Sequence, residues 1–266
     1  MSFLSPLRRA WAHRALVLAL VRRELSARYR GGALGFLWSL LNPLLLLLVY
    51  ATVFRLVFAP RADVRPYALF LFGGVLVWGF LAAALNDSVE AFRANGPLLR
   101  KTTVAPEVFP AASVGARLAH LLLALPVLAA ATAVSAARGS VAPGWAALEL
   151  PAVLFLLCLA VFGAALGLSA LAVHYGDVRD IVGNLLTLAF FVTPVLYPVE
   201  SVPERWRGLL RLNPASGFFA ALHDTVFFFR PVAALDWAAM LGWTVAALFF
   251  GGAVFERLRD SLAEEA

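Results

Sequence analysis

The feature that most constrains this chain is an arginine-rich segment followed directly by a long apolar run. Residues 35–57 form a stretch of 23 residues with a single charge, Arg55, and seven arginines precede it within residues 1–34. At ~1.5 Å per residue, a helix of this length just exceeds a hydrocarbon core of ~30 Å. We therefore predict a membrane span that is retained as a signal anchor, with its basic flank on one side of the membrane.

The composition predicts that the whole chain is an integral membrane protein. Of its 266 residues, 62% are hydrophobic and 14% are charged, which leaves too little polar surface to coat a soluble globule. The net charge of +6 does not indicate nucleic-acid binding, because the positive residues flank apolar runs and form no contiguous patch. The single cysteine, Cys158, lies in an apolar run, so neither an intramolecular disulfide nor a CxxC site is possible.

Five further apolar runs predict an all-α, polytopic fold with six transmembrane helices. They lie at 67–86, 108–134, 146–173, 181–198 and 237–255. An even number of spans places both termini on one side. The N-terminus, the 87–107 and 174–180 loops and the C-terminus hold 13 of the 22 Lys and Arg residues, whereas the opposite loops hold seven. The positive-inside rule therefore predicts that both termini are cytoplasmic.

The segment 7–30 carries the pattern of an amphipathic helix in the cytoplasmic interface. Its apolar residues recur at gaps of four and seven, and the arginines occupy the other faces. The residues of the apolar face are Leu7, Trp11, Leu18, Leu25 and Tyr29.

The segment 199–236 is predicted to form a re-entrant or interfacial helical pair on the outer side, before the last span. Its apolar stretch 215–229 is interrupted by His223 and Asp224 and is too short to cross. No internal repeat is visible, so we predict one transmembrane domain, 1–266. It comprises a cytoplasmic amphipathic segment 1–34, a six-span core 35–255 that includes 199–236, and a cytoplasmic tail 256–266.

The inventory of reactive residues does not favour an enzyme. Histidines 13, 120, 174 and 223 fall in different parts of the predicted topology and no HExxH occurs, so we expect neither a metal site nor an acid–base cluster. The sequence GLSAL at 167–171 lacks the final glycine of a nucleophile elbow, and Ser169 is better explained by close helix packing. No GxxxxGK[ST] motif occurs, so any ATP dependence requires another subunit.

Polar and aromatic residues near the spans leave alternatives open. Arg117 is explained either by snorkelling to the interface or by a functional role. The pairs 42–43, 193–194 and 213–214, each ending in proline, serve equally as kinks or as a gate. The many aromatic residues either anchor the protein in the headgroups or line a conduit along which sugar rings slide.

Four stretches, 23–50, 73–85, 95–111 and 177–218, resemble the permease subunit of type-2 ABC exporters. The most specific motifs are RYRG…LGFLWSLLNP at 28–43 and TPVLYP…VP…LNP at 193–214. Within that superfamily the chain is similar to the branch that exports O-antigen, capsule and teichoic-acid polysaccharides.

The resemblance implies a function and a set of partners. It implies export of a lipid-linked polysaccharide across the bacterial plasma (inner) membrane through a channel between two copies of this chain. Two copies of a separate ABC ATPase would bind ATP and Mg²⁺, and this chain would bind no cofactor and catalyse no reaction. A drug or lipid exporter of the same superfamily is the alternative. A membrane-embedded transferase is disfavoured by the missing acidic or histidine cluster.

The resemblance also implies two groups of site residues. The cytoplasmic residues that would contact the ATPase subunit are Arg22, Arg23, Glu24, Glu90, Arg93, Arg100, Lys101, Asp177 and Arg179. The aromatic residues that would line the polysaccharide channel are Trp38, Tyr50, Trp78, Phe190, Tyr197, Phe218 and Phe219.

Overall fold

A computed structural model describes residues 5–29, 37–56, 66–101, 104–259 and 261–262. Over these ranges every regular element is a helix, which confirms the all-α fold class. The α-helices are α1 Ser5–Ala12, α2 Arg14–Tyr29, α3 Trp38–Leu56, α4 Tyr67–Val89, α5 Ala91–Lys101, α6 Val108–Ala137, α7 Leu150–His174, α8 Val178–Val192, α9 Glu204–Leu210, α10 Ser216–His223 and α11 Ala234–Leu258. Short 3₁₀ turns at Trp145–Glu149 and Val199–Ser201 and a π-helix at Asp224–Phe228 complete the described elements.

Four of these helices are long and apolar enough to cross a membrane. They are α4, α6, α11 and α7 together with its preceding 3₁₀ turn, whereas α3 contributes the shorter apolar stretch Leu40–Val53. Residues 35, 36 and 57 of the predicted first span lie outside the described residues. The predicted span 181–198 is wrong at its end, because α8 stops at Val192. Pro194 disfavours helical geometry in the residue before it, and Thr193 is accordingly extended.

The core of the bundle is built around α4 and the pair α7–α11. Helix α4 packs against α6 and α7, and α3 and α8 also pack on α4. Helices α7 and α11 approach most closely where Gly163 and Gly167 of α7 face Gly251 of α11. A Cβ at Gly251 would lie 1.8 Å from the Gly163 carbonyl oxygen, so this crossing requires glycine. Ser169 is fully buried beside it and donates a hydrogen bond to the Leu166 carbonyl at 3.0 Å, as expected for a packing residue.

The connections lie at two opposite ends of the bundle. One end, here the terminal face, comprises α1, α5, the turn 175–177 and the C-terminal end of α11. It is held together by contacts such as the 2.8 Å hydrogen bond between His174 Nε2 and Ser261 Oγ. The other end, here the opposite face, comprises residues 138–149 and 193–233, where the backbone N–H of Val232 donates to Glu149 Oε2 at 3.1 Å.

The N-terminal segment forms two helices that are separated at His13. Leu20 and Val21 of α2 are buried against the protein, and α2 packs on α6. Trp11 and Leu18, both assigned to the apolar face of the predicted helix, are 71% and 54% exposed. Leu7 and Leu25 of the predicted apolar face pack against the core, so only part of that face is turned towards the protein. The side chain of Tyr29 lies outside the described residues.

The segment between α8 and α11 contains two short helices, α9 and α10, and the two proline turns beside them contact each other. The Asn213 side-chain amide donates to Thr193 Oγ1 at 2.9 Å, and Asn213 Oδ1 accepts from the backbone N–H of Ala215 at 3.0 Å. The turn after Thr193 presses on α4, where a Cβ at Gly74 would lie 2.6 Å from the Val195 carbonyl oxygen. This packing gives the 193–194 and 213–214 pairs a shared structural role.

Candidate functional site

Polar residues are exposed on three neighbouring helices of the bundle. On α8, Asp180, Asn184 and Thr187 follow at gaps of four and three and are all exposed. Asn42 of α3 and Asn86 of α4 are exposed as well, and α4 packs on both α3 and α8. We call these five residues the polar face. Polar side chains are costly against lipid, so this arrangement favours contact with water or with another protein surface.

The aromatic residues predicted for a channel divide into exposed and buried groups. Trp38 is 38% exposed, and Tyr50, Phe190 and Tyr197 are partly exposed. Trp78, Phe218 and Phe219 are at most 8% exposed and belong to the core of the protomer. The Trp78 ring lies 5.6 Å from that of Phe190 and 5.8 Å from that of Phe219. Among the three buried rings, Trp78 thus packs directly against the partly exposed Phe190.

Several residues predicted to contact an ATPase subunit meet on the terminal face. Arg179 and Glu90 form an ion pair at 3.3 Å, which joins the start of α8 to the α4–α5 junction. With Arg93 they line a cleft of about 80 Å³. Arg23 of α2 donates to Asn95 Oδ1 of α5 at 2.5 Å, so α2 and α5 are also connected.

The remaining predicted contact residues are spread around this face. Arg22 and Asp177 are exposed, and Glu24 is half-buried. Arg100 and Lys101 end α5, and their side chains lie outside the described residues.

A buried charge network that the sequence interpretation missed lies on the same face. Glu107, which precedes α6, is fully buried and accepts a hydrogen bond from Arg9 Nε of α1. Arg9 also donates to Glu256 of α11, whose Oε1 accepts from Ser5 Oγ at 2.7 Å. Arg259 Nε lies 3.4 Å from Glu107 Oε1. The network ties α1 to the start of α6 and the end of α11.

Arg117 is held by a partner that the snorkelling interpretation did not include. Its Nη2 donates to Asp87 Oδ1 at 2.8 Å, and its Nε donates to Asp87 Oδ2. This two-pronged ion pair links α6 to α4 and is the strong geometry for an arginine and a carboxylate.

The opposite face contains an open cleft of about 400 Å³. Arg230 lines this cleft and donates to Asp224 Oδ1 at 2.6 Å and to Glu200 Oε1. Its Cζ lies 4.7 Å from the centroid of the Phe228 ring. The charged residues that line the cleft are Glu200, Arg207, Arg211, Asp224, Arg230 and Asp236. The cleft therefore presents both positive and negative groups.

Two carboxyl groups of this cleft have shifted pKa values. Burial raises the pKa of Asp224 to about 6, although the adjacent Arg230 opposes that shift. Burial would also raise the pKa of Glu200, but its hydrogen bond to Arg230 and the charge of that residue outweigh burial and bring the pKa below its usual value.

Comparison with known proteins identifies the family. A family model described as ABC-2 type transporter matches residues 15–227 of the chain. The chain belongs to the ABC-2 type transporter family. The match includes the polar face, the α5 region and most of the cleft residues.

Relatives of this ABC-2 type transporter match along almost its whole length. The O-antigen export system permease protein RfbA of Myxococcus xanthus is 33% identical over 259 residues, which cover 97% of each chain. An RfbA protein of Klebsiella pneumoniae is 28% identical over 250 residues, 94% of each chain. The polysialic acid transport protein KpsM of Escherichia coli is 22% identical over 248 residues, 92% of this chain and 94% of that one.

As a member of this family the chain is a transport subunit of the membrane. Within the described ranges, no three His, Cys, Asp or Glu side chains group in a way that could hold a metal ion. His13 is exposed, whereas His223 is buried with its ring 3.7 Å from that of Phe70. Ser169 is buried by helix packing, whereas the serine of a nucleophile elbow is exposed.

Some site residues missed by the sequence interpretation had a visible signal. Asn184 and Thr187 are polar residues inside an apolar run, and their spacing places them on one helix face. Glu107 and Glu256 are acids at the ends of two apolar runs, but nothing in the local sequence indicates that they share Arg9.

Proposed function

We propose that this protein is the membrane-spanning subunit of an ATP-driven exporter that moves a lipid-linked polysaccharide out of the cytoplasm. The observation that carries the proposal is the end-to-end match to three relatives named for O-antigen export or polysialic acid transport. The membrane is the plasma (inner) membrane of a bacterium. ATP and Mg²⁺ are bound by two copies of a separate ATPase subunit.

The proposed topology has six spans, formed by α3, α4, α6, α7, α8 and α11. Helices α3 and α8 are the shorter ones, and α8 with 15 residues extends ~22 Å. Helices α9 and α10 form the re-entrant pair on the outer side. The terminal face is cytoplasmic in this topology, and the concentration of Arg and Lys in its loops supports that orientation.

The proposed conduit lies between two copies of the chain, along the polar face. Support comes from the exposure of Asn42, Asn86 and Asn184 on α3, α4 and α8. Asparagine amides and hydroxyl groups exchange hydrogen bonds readily with the hydroxyls of a moving glycan. Phe190 and Tyr197 offer flat apolar surface along the same helix and the turn that follows it.

The proposed coupling surface is the terminal face, where the ATPase subunits bind. The Glu90–Arg179 ion pair and the Arg23–Asn95 hydrogen bond support this, because they connect the α4–α5 junction to α8 and α5 to α2. A force applied to α5 would therefore reach the helix that carries most of the polar face.

Depletion of the protein in its host tests the function. We expect lipid-linked glycan to accumulate in the cytoplasmic pool and polymer to disappear from the surface. Unchanged glycan in both pools would refute polysaccharide export and favour the drug or lipid exporter. Re-expression of the wild-type gene serves as the control for the loss.

Complementation with Thr187→Val tests the conduit. Thr187 and Thr132 each donate a hydrogen bond of 2.9 Å to a carbonyl of their own helix, so Thr132→Val on α6 is a matched control. We expect the rate of surface polymer recovery to fall for Thr187→Val and to stay normal for Thr132→Val. Equal rates at equal protein abundance would move the conduit away from α8.

Charge reversal on the terminal face tests the coupling. Glu90→Lys or Arg179→Glu alone should reduce glycan-stimulated ATP hydrolysis by the assembled transporter, and the double variant should recover part of it because the ion pair is re-formed. Glu204→Lys on the opposite face is the control. A double variant as impaired as the sum of the single variants would argue against the pair.

A further inference from the structure

The cleft on the opposite face combines several features that ordinary loop packing does not require. The π-helix Asp224–Phe228 forms one wall, and Phe229 after it adopts a left-handed backbone with φ of 50°, which is costly for a bulky residue. Strain of this kind persists only where surrounding contacts hold it. Here the Arg230 ion pairs with Asp224 and Glu200 hold it.

The polar residues of the cleft divide into two groups by their existing bonds. Arg230 is engaged by Asp224 and Glu200, and Arg207 donates to the carbonyl oxygens of Val202 and Glu200 at 2.8 and 2.7 Å. These residues shape the walls of the cleft.

The second group consists of side chains whose hydrogen-bond donors or acceptors have no hydrogen-bond partner among the described residues. Within the ranges that the structure describes, Arg211 and the carboxylate of Asp236 make no hydrogen bond or direct ion pair, although their opposite charges interact electrostatically. Ser216 is 4% exposed, and its Oγ has no hydrogen-bond partner within the described chain. A buried hydroxyl without a protein partner is unusual, and a hydroxyl group of a ligand or a water molecule can satisfy it. The cleft thus offers a guanidinium donor, a carboxylate acceptor and a hydroxyl that is both.

We propose that this cleft is a saccharide-binding subsite that holds one or two sugar rings of the polymer on the outer side. The proposal rests on the proposed export function. Three arginines and three carboxylates line the cleft, so it carries no net charge and suits neutral hydroxylated rings better than an anion. A volume of about 400 Å³ accommodates a short oligosaccharide segment, and Phe228 supplies an apolar wall.

Binding to the purified full-length protein in nanodiscs tests the subsite. The probe is the mixture of oligosaccharides released by mild acid from the host's own surface polysaccharide, and isothermal titration calorimetry measures the affinity. We expect at least a ten-fold weaker affinity for Arg211→Ala and for Asp236→Asn. The control is Arg205→Ala, which removes an exposed arginine of α9 that lies outside the cleft, and it should bind like wild type. Gel filtration confirms that each variant is folded.

The following binding results would refute the proposed saccharide-binding subsite. Equal affinity in all variants would place the bound glycan elsewhere, and absence of oligosaccharide binding to the wild-type protein would refute it as well. Competition by inorganic phosphate as strong as by the oligosaccharides would show an anion site instead. The depletion experiment is independent of these results. If depletion removes the surface polymer but Arg211→Ala binds the oligosaccharides like wild type, the subsite alone is refuted. If depletion leaves the surface polymer unchanged, the export function is refuted.

Discussion

Removal of the Glu107 carboxylate should destabilise the protein strongly, because two arginines depend on it. Glu107 has no exposed side-chain surface and contacts both Arg9 and Arg259. Arg9 retains Glu256 as a second partner. In Glu107→Ala the start of α6 loses its connection to α1, and Arg259 loses its ion-pair partner among the described residues.

The structure sets the magnitude of this effect. Loss of one partner from a buried ion pair costs about 3–5 kcal/mol. Arg9 and Arg259 are 30% and 34% exposed, so water compensates in part and we expect the lower end of that range. A loss of about 3 kcal/mol raises the equilibrium constant of unfolding by a factor of ~10². The exposed Glu90–Arg179 ion pair serves as the comparison, because its side chains are 33% and 64% exposed. Glu90→Ala should lower the free energy of unfolding by less than about 1 kcal/mol.

Denaturant titration of the purified proteins in mixed micelles measures the free energy of unfolding of Glu107→Ala and of Glu90→Ala under identical conditions. An Arg9→Met, Glu107→Leu double variant should lose less stability than the two single variants added together, because it leaves no unpaired charge at their contact. Strict additivity, or equal stability of Glu107→Ala and Glu90→Ala, would refute the reasoning that the network is buried and coupled.

Three further outcomes are expected. Gly251→Ala should lower the melting temperature and protein abundance, because its Cβ would overlap the Gly163 carbonyl oxygen, and Gly242→Ala, at an open position of α11, should not. Between the usual Asp pKa of 3.8 and about 6, folded Asp224 holds a proton that the unfolded chain releases, so stability should fall as pH rises through that window. Asp224→Asn should flatten this part of a thermal-unfolding series. Arg117→Lys should remain less stable than wild type, since a lysine cannot reproduce the two-pronged bond.

The helical fold could be predicted from the sequence to a large extent, because length and apolar continuity determine which segments can be buried in a membrane. The predicted runs 67–86 and 237–255 lie within α4 and α11. The prediction failed at the end of α8, where hydropathy continues through Thr193 and Pro194 but helical geometry does not. Hydropathy alone does not register that backbone restriction.

The candidate sites were less predictable, because they depend on contacts between distant parts of the chain. Arg9 meets residues 98 and 247 positions away, and no local pattern encodes that pairing. Aromatic residues posed a different problem. Trp78 and Phe219 are residue types expected of a channel wall, but their burial depends on which sides of α4 and α10 face each other.

Helix α11 carries a residue of both charge clusters, Asp236 at the cleft and Glu256 in the terminal network. Their separation of 20 residues corresponds to ~30 Å along a helix. Because backbone atoms of α7 and α11 touch at the Gly163–Gly251 crossing, α11 cannot slide past α7 without separating from it. A displacement of α1 by an ATPase subunit would therefore reach the cleft as a rigid movement of the α7–α11 pair. On this argument Gly251→Ala should weaken the dependence of oligosaccharide affinity on ATP more than it weakens the affinity itself, and an equal loss of both would indicate simple misfolding.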